Sequence, residues 1–445
     1  MSTKKNLSFK EIAVAGMAMF AIFFGAGNLI LPPKMGQEAG SAWFLAFLGF
    51  VISDIVLILF GIRAMSRRQG SILAFGKKVS KHFGAIIGTL VVLCIGPLIA
   101  IPRTAATTYE VAVEPFLPNV SIGFFSVFFF VAVLVFTING SKVVDIVGKY
   151  MTPVLLVILL LIIALGVSKP MPAPTHSSSG PLAEGFTVGY MAMDALGALF
   201  FAGMILNNFR DKGITSEDQL ASATNKAGIM AGIGLAIVYG GLTLLGAYSQ
   251  SYTPADITRS ELLNAIVFKT LGKVGIVGIA IAVTCACLTT AVGLASATGN
   301  FFQEISRGKL KYEVVVVATI IISALLAVMG VEKIVSMSTP VLLILYPVVI
   351  TMMILNMVDK GEVAPITYRC AVLLTLPPSV LDCLNSMGIE TFPLLKAYAK
   401  LPLAEERFGW ILFAGLGILL GLVLGRLKKN KIHLFETEKM KAGSH

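Results

Sequence analysis

Phe23-Phe24-Gly25-Ala26-Gly27-Asn28-Leu29-Ile30-Leu31-Pro32-Pro33 decides how the chain folds. It sits deep in an apolar run over 11–33, long enough to cross a hydrocarbon core at roughly 20 residues per helix. Two glycines and an asparagine each weaken a helix there. In lipid, backbone groups released from a helix are tolerated only beside a cavity or buried protein. The stretch therefore reads as a membrane helix broken at a binding site. Its bare N–H groups suit an anion and its bare C=O groups a cation. The plainer alternative for Gly25 and Gly27 is close helix packing.

A second interruption has the same character. Gly189-Tyr190-Met191-Ala192-Met193-Asp194-Ala195-Leu196-Gly197-Ala198 places a carboxylate in the middle of the sixth apolar span. A charge at that depth usually faces a cavity or a partner. Breaks in helices one and six are the spacing expected when five helices are followed by five inverted ones. Met17-Ala18-Met19-Phe20-Ala21 also echoes Met191-Ala192-Met193-Asp194-Ala195, though the echo is short.

Outward from these breaks, the remaining spans read as 42–62, 84–106, 121–139, 148–167, 186–206, 226–248, 274–302, 312–330, 333–357, 367–386 and 408–425. The fold class is thus an all-α integral membrane protein of about twelve helices. The composition agrees. Charged residues are 13% of the 445 and hydrophobic residues 56%, against about 25% charged in soluble domains. The net charge of +11 reads as topology, because Lys and Arg are scattered between apolar runs and form no basic face for nucleic acid. Placing both termini in the cytoplasm puts most Lys and Arg inside, including Lys4, Lys5, Lys10, Lys142 and Lys149. The basic segment Met1–Lys10 resembles a signal-peptide start, but no small-residue cleavage site ends the run, so a retained first helix is expected.

Several features have modest readings. Cys94, Cys285, Cys287, Cys370 and Cys383 lie in apolar stretches without paired spacing, so they read as packing thiols. Ser260 is expected to cap a helix over Glu261–Leu271 that Gly272 stops. The basic loop Ser66–Phe83 reads as a membrane-surface segment. Gly417, Gly421 and Gly425 form GxxxGxxxG, a packing or dimer motif. Asp54 reads as internally paired or as a proton relay. Arg103, near the outer end of helix three, reads as a gate or a snorkelling side chain. His82, His176, His433 and His445 have no metal partner in sequence, and no HExxH, GxSxG or Walker pattern appears. No enzymatic activity is expected. In helix eight, Ala286, Thr289 and Thr290 share a face at i, i+3 and i+4. Their hydroxyls and nearby carbonyls suit a small hard cation, or else back-bond within their own helix.

The runs FFGAGNLILPPKMG, IGPLIAIPRTAATTYE, GYMAMDALGALFFAGMILN and CLTTAVG resemble the bacterial branched-chain amino acid:cation symporters. The likeness extends over essentially the whole chain. It implies the leucine-transporter fold in one domain over 1–445. Helices 1–5 at 11–167 and 6–10 at 186–357 would be the inverted repeats, and helices 11–12 at 367–425 accessory. It implies uptake of leucine, isoleucine and valine across the bacterial cytoplasmic membrane, driven by sodium or, alternatively, by protons. Carried over by position, the substrate's carboxylate and amine fall at Gly25, Ala26, Gly27 and Asn28, with Asp194, Ala195, Leu196 and Gly197 as the second wall. Sodium would use Ala21, Phe24, Ala286, Thr289 and Thr290. Phe20, Phe23, Met193, Leu196 and Phe200 are candidates for the apolar side-chain pocket. No cofactor is expected beyond the coupling ion, and the partners are the amino acid and the lipid bilayer. A passive channel would need a continuous polar pore, and the polar groups cluster at the breaks instead.

Overall fold

The computed structural model describes residues 8–138, 142–169, 172–211, 214, 216–389 and 398–442. At 142–152, 204, 207, 208, 211, 217, 218 and 428–442 it describes the backbone alone. Lys4, Lys5 and His445 lie outside the described residues, and the side chains of Lys142, Lys149 and His433 outside the described side chains. Among the described residues the regular structure is helical. By length and apolarity, six helices can cross a membrane, and up to eight spans result if each of two bent helix pairs is one crossing. Ile122–Ile138, Pro153–Val167 and Tyr312–Ala327 are shorter apolar helices.

The chain divides into two compact units, 1–62 with 89–339 and 63–88 with 340–445. In the first unit, α1 (Phe9–Phe23) and α2 (Ala26–Ala39) form one bent pair, turned by 75°. Ser8 starts α1 through a capping box with Glu11, in which the Glu11 N–H donates to Ser8 Oγ and the Ser8 N–H to the Glu11 carboxylate. The helix α3 (Trp43–Ser66) follows, with a π-helical turn at Ile52–Val56. The short α4 (Ile72–Gly76) belongs to the second unit, and α5 (Phe83–Val113) carries π-helical turns at Cys94–Leu98 and Tyr109–Val113. The helix α6 (Ile122–Ile138) and α7 (Lys142–Val167) lead to the second bent pair, α8 (Pro181–Ala192) and α9 (Asp194–Asp211), turned by 42°. Then come α10 (Glu217–Tyr248), α11 (Arg259–Ile305) and α12 (Tyr312–Ala327).

Glycines let α2 and α10 touch through their backbones. A Cβ on Gly36 would lie 1.9 Å from the Thr243 carbonyl oxygen, and one on Gly246 would lie 1.9 Å from that of Pro33. This holds the bent half-helix against a long straight one. The expected cap of α11 is corrected: Thr258, not Ser260, caps it, because Thr258 has Glu261 three residues on and closes a reciprocal capping box. Ser260 has Leu263 at that position and cannot. Gly272, at φ +63°, breaks α11 as expected, and Leu262, Leu263, Ile266 and Val267 ahead of it are fully buried.

The second unit contains the later part of α13 (Val331–Val358), α14 (Pro365–Ser386) and α15 (Gly409–Ala442). The GxxxGxxxG glycines face α14: a Cβ on Gly421 would lie 2.3 Å from Thr367 Cα and one on Gly417 2.6 Å from the Cys370 carbonyl oxygen. The motif is used for packing within the chain. The basic loop after α3 is anchored here. Arg68 Nη2 and Lys78 Nζ reach Asp359 Oδ2 at 2.8 and 2.5 Å. Burial raises the Asp359 carboxyl's pKa. Hydrogen bonds from Lys78, the Val363 N–H, Tyr368 and Arg68 outweigh that and hold it well below the usual carboxylate range.

Candidate functional site

Both helix breaks are short. At the first, Phe24 and Gly25 leave the helix for extended backbone, Gly25 at φ −115° and ψ −171°. At the second, Met193 alone leaves the helix, into the left-handed region at φ +67°. Each break exposes the last carbonyls of one half-helix and the first N–H groups of the next, because helix ends have no intrahelical partners for them. The two breaks thus present two helix C-termini with partial negative charge and two N-termini with partial positive charge. Asn28 braces the first. Its Nδ2, which has two hydrogens, lies within hydrogen-bonding reach of three acceptors: the Phe23 carbonyl (2.7 Å), which the break has freed, Asp194 Oδ2 (2.5 Å) and the Tyr239 hydroxyl. One side chain therefore ties the break in α1–α2 to the break in α8–α9.

The breaks face one cavity of about 40 Å³, room for a few water molecules. Its walls include Gly25, Ala26, Gly27 and Asn28 from the first break and Ala192, Met193, Asp194 and Gly197 from the second. Phe23, Phe201, Ile95 and Leu294 supply apolar surface, and Thr104 and Thr290 supply hydroxyls. Its charged lining residues are Arg103 and Asp194. Arg103 is 3% exposed. Its Nη1 donates to the Met191 carbonyl (2.6 Å) and its Nη2 to the Ala192 carbonyl (3.3 Å), capping the C-terminal end of α8. Its guanidinium lies over Gly27, where a Cβ would come within 2.6 Å of Nη2.

Of the residues singled out in sequence, Gly25, Ala26, Gly27, Asn28, Phe23, Met193, Asp194, Gly197 and Thr290 line this cavity. Ala195 and Leu196 are fully buried and outside its lining. Phe20 stacks on Phe24 at 5.1 Å, and Phe24 on Tyr239 at 6.1 Å, so the pair packs behind the break. Phe200 turns to Phe301, edge to face at 5.5 Å. Its neighbour Phe201 faces the cavity and meets Phe23 edge to face at 6.1 Å. Thr290 comes beside the first break: a Cβ on Gly25 would sit 3.5 Å from its γ-methyl and 3.6 Å from its hydroxyl. Thr289 instead donates to the Cys285 and Ala286 carbonyls, at 3.1 and 3.0 Å. Ala21 and Ala286 are outside the lining.

Two site residues were misread or missed in sequence. The sequence alone puts Arg103 near the outer end of its helix, and the structure puts it at the cavity, bound to the end of α8. The kink explains the offset: Gly96 is non-helical (φ −94°, ψ −119°) and Pro97 follows, so counting residues along an ideal helix misjudges depth. Tyr239, fully buried on α10, carried no local signal in an apolar run. Asp54 lies in the π-helical turn of α3, buried, with no hydrogen-bond partner on either oxygen among the described residues.

A family model described as "Branched-chain amino acid transport protein" matches residues 8–428. The chain belongs to this family. The branched-chain amino acid permease BraB of Bacillus subtilis is 35% identical over 432 residues, covering 95% of this chain and 97% of that protein. The branched-chain amino acid transport system 2 carrier protein of Pseudomonas aeruginosa is 35% identical over 424 residues, covering 94% and 96%. Among solved structures, the chain resembles inward-facing Mhp1 (TM-score 0.62, 11% identity, 94% of this chain and 91% of that one). It also resembles an outward-open Na+-coupled sialic acid symporter (TM-score 0.58, 12% identity, 94% and 90%). The fold is therefore that of all-α, multi-pass membrane transporters with discontinuous helices, of the leucine-transporter type. Family membership makes the chain a transport protein rather than an enzyme.

Proposed function

We propose that this protein imports leucine, isoleucine and valine in symport with sodium, by alternating access. The observation that supports this most directly is a single cavity walled by two helix breaks and by one basic and one acidic side chain, in a member of the branched-chain amino acid transport family. A zwitterion needs complementary charge at both ends, and an aliphatic side chain needs apolar wall. Broken helices supply dipole ends at membrane depth without lipid-exposed backbone. The cavity is smaller than its substrates, so the walls must part to admit one, as alternation between outer and inner gates requires. Phe23, Met193 and Phe201 are the surface the aliphatic chain would meet, with Phe20, Leu196 and Phe200 packed outside the lining.

Sodium would sit between the first break and α11, with Thr290 as its nearest hydroxyl and carbonyls around Ala21, Phe24 and Ala286 in support. Twelve spans would result if the three shorter apolar helices and Pro365–Ser386 also cross the membrane beside the six long helices and the two bent pairs. In this reading the inverted repeats occupy 11–167 and 186–357, helices 367–425 are accessory, and both termini are cytoplasmic in the bacterial inner membrane. One positive charge moving through 100 mV gains about 2.3 kcal/mol. At about 1.4 kcal/mol per tenfold, this supports roughly 40-fold accumulation before any sodium gradient is added.

Proton coupling is the second reading, favoured by Asp54, whose buried carboxyl has no hydrogen-bond partner among the described residues. Proteoliposomes separate the two. Labelled leucine should accumulate under an inward sodium gradient and not under an inward proton gradient alone. Accumulation driven by protons without sodium moves the coupling from Thr290 to Asp54 and Asp194.

A further inference from the structure

The cavity's two charged side chains differ in how they are held, and the difference has chemical meaning. Arg103 is buried, and its guanidinium donates, among its contacts, to two neutral carbonyls, those of Met191 and Ala192. Carbonyls at a helix C-terminus carry only partial negative charge. A guanidinium has five donors in a planar fork and is always charged. Its strongest partner is a carboxylate, taken through two parallel hydrogen bonds. The absence of a side chain at Gly27 is what lets the fork come close to the first break, in the first turn of α2. A carboxylate entering there meets two positive features together. Asp194 stands on the second break, half-buried, in the cavity wall, with Oδ2 accepting from Asn28. It provides the negative counterpart.

We propose that Arg103 takes the substrate's carboxylate and Asp194 its ammonium group, so that zwitterion recognition rests on two side chains in addition to bare backbone. This inference rests on the amino acid transport reading above. In this structure Arg103 is held at the end of α8. On loading, it exchanges part of that carbonyl contact for the substrate carboxylate, which couples occupancy of the first break to the position of the second.

The test uses the purified full-length protein, labelled leucine, and three unlabelled competitors. Leucinol keeps the ammonium and lacks the carboxylate, isocaproate keeps the carboxylate and lacks the ammonium, and valine keeps both. For wild type, leucinol and isocaproate should each compete at least about 100-fold more weakly than leucine, the scale of truncating one partner of a buried charge pair. Arg103→Gln should lose about 100-fold for leucine and change less than about threefold for leucinol. Asp194→Asn should lose leucine while keeping isocaproate. Arg103→Lys, with charge but no fork, should fall between wild type and Arg103→Gln. A merely structural role for Arg103 predicts equal losses for leucine and leucinol, and that result overturns the proposal. So does a wild-type protein that binds leucinol as tightly as leucine, which needs no variant to fold. A wild-type protein that binds neither leucine nor valine overturns the transport reading itself.

Discussion

Asp359→Asn tests the ion-pair network of the second unit. The wild-type carboxylate is saturated: Oδ2 accepts from Arg68 Nη2 (2.8 Å), Lys78 Nζ (2.5 Å) and the Tyr368 hydroxyl (2.9 Å), and Oδ1 from the N–H groups of Gly361 (2.8 Å) and Val363 (3.1 Å). An asparagine fits the space, but its NH2 must face either two cations or two N–H donors. Either orientation removes the charge and sets donor against donor. Removing one partner of a buried ion pair costs about 3–5 kcal/mol. The aspartate side chain has no exposure, while Arg68 and Lys78 are 18% and 22% exposed. Water therefore recovers part of the cations' solvation, and the lower end, about 3 kcal/mol, is expected. The strand of chain at stake is the loop carrying α4, which Asn356 also holds through the Phe75 carbonyl at 3.1 Å. Amide exchange along 68–80 reports its local opening. At about 1.4 kcal/mol per tenfold, exchange there should accelerate roughly 100-fold in Asp359→Asn. Adding Lys78→Met should restore about 1 kcal/mol, since it removes a cation left unpaired. Exchange within about threefold of wild type would refute the reasoning. The pH dependence has a definite sign. A carboxyl held below its unfolded value of about 3.9 contributes fully above that pH and loses its contribution as pH falls below it. Protection of 68–80 should therefore decline on acidification from pH 4 downward, and less so in Asp359→Asn.

Further expectations follow from the first unit. Thr290→Ala should raise the sodium concentration needed for half-maximal uptake more than Thr289→Ala does, because the Thr289 hydroxyl is committed to its own helix; unchanged sodium dependence in both places the ion elsewhere. Gly246→Ala should destabilise the protein by about 3 kcal/mol or more, since its methyl meets the Pro33 carbonyl, a backbone atom that cannot rotate away; thermal unfolding in detergent measures it, and an unchanged midpoint refutes it. Phe201→Ala should weaken leucine binding more than Phe200→Ala, since Phe201 lines the cavity and Phe200 packs on Phe301; competition binding ranks them. One methylene is worth only about 1–3 kcal/mol in an apolar pocket, so valine should inhibit leucine uptake at millimolar excess, and its failure would mark a narrower specificity.

What could be read from sequence was local and periodic. The apolar runs, the Gly25–Asn28 break and the charge at Asp194 each announce themselves, because a helix in lipid has no water to satisfy a freed backbone group or a charge. The family resemblance, carried by the same segments, holds across residues 8–428. The cap of α11 is local as well, since the Thr258-x-x-Glu261 box is contiguous in the sequence and Ser260 lacks the acidic residue three positions on. What sequence could not supply was rotation and depth. Phe200 and Phe201 are adjacent and equally apolar, and only the turn of α9 after Met193 decides which one faces the cavity. Arg103 reaches the cavity because its helix is kinked at Gly96 and Pro97, which no periodicity count includes. Tyr239 joins Asn28 from 211 residues away along the chain. Each of these is a contact between elements, and in an apolar chain the same residue types line the lipid face, the packed core and the binding site. Sequence alone determined that the helices break, and where. Tertiary packing alone determined that the two breaks meet around one cavity, and that an arginine and an aspartate stand in its wall.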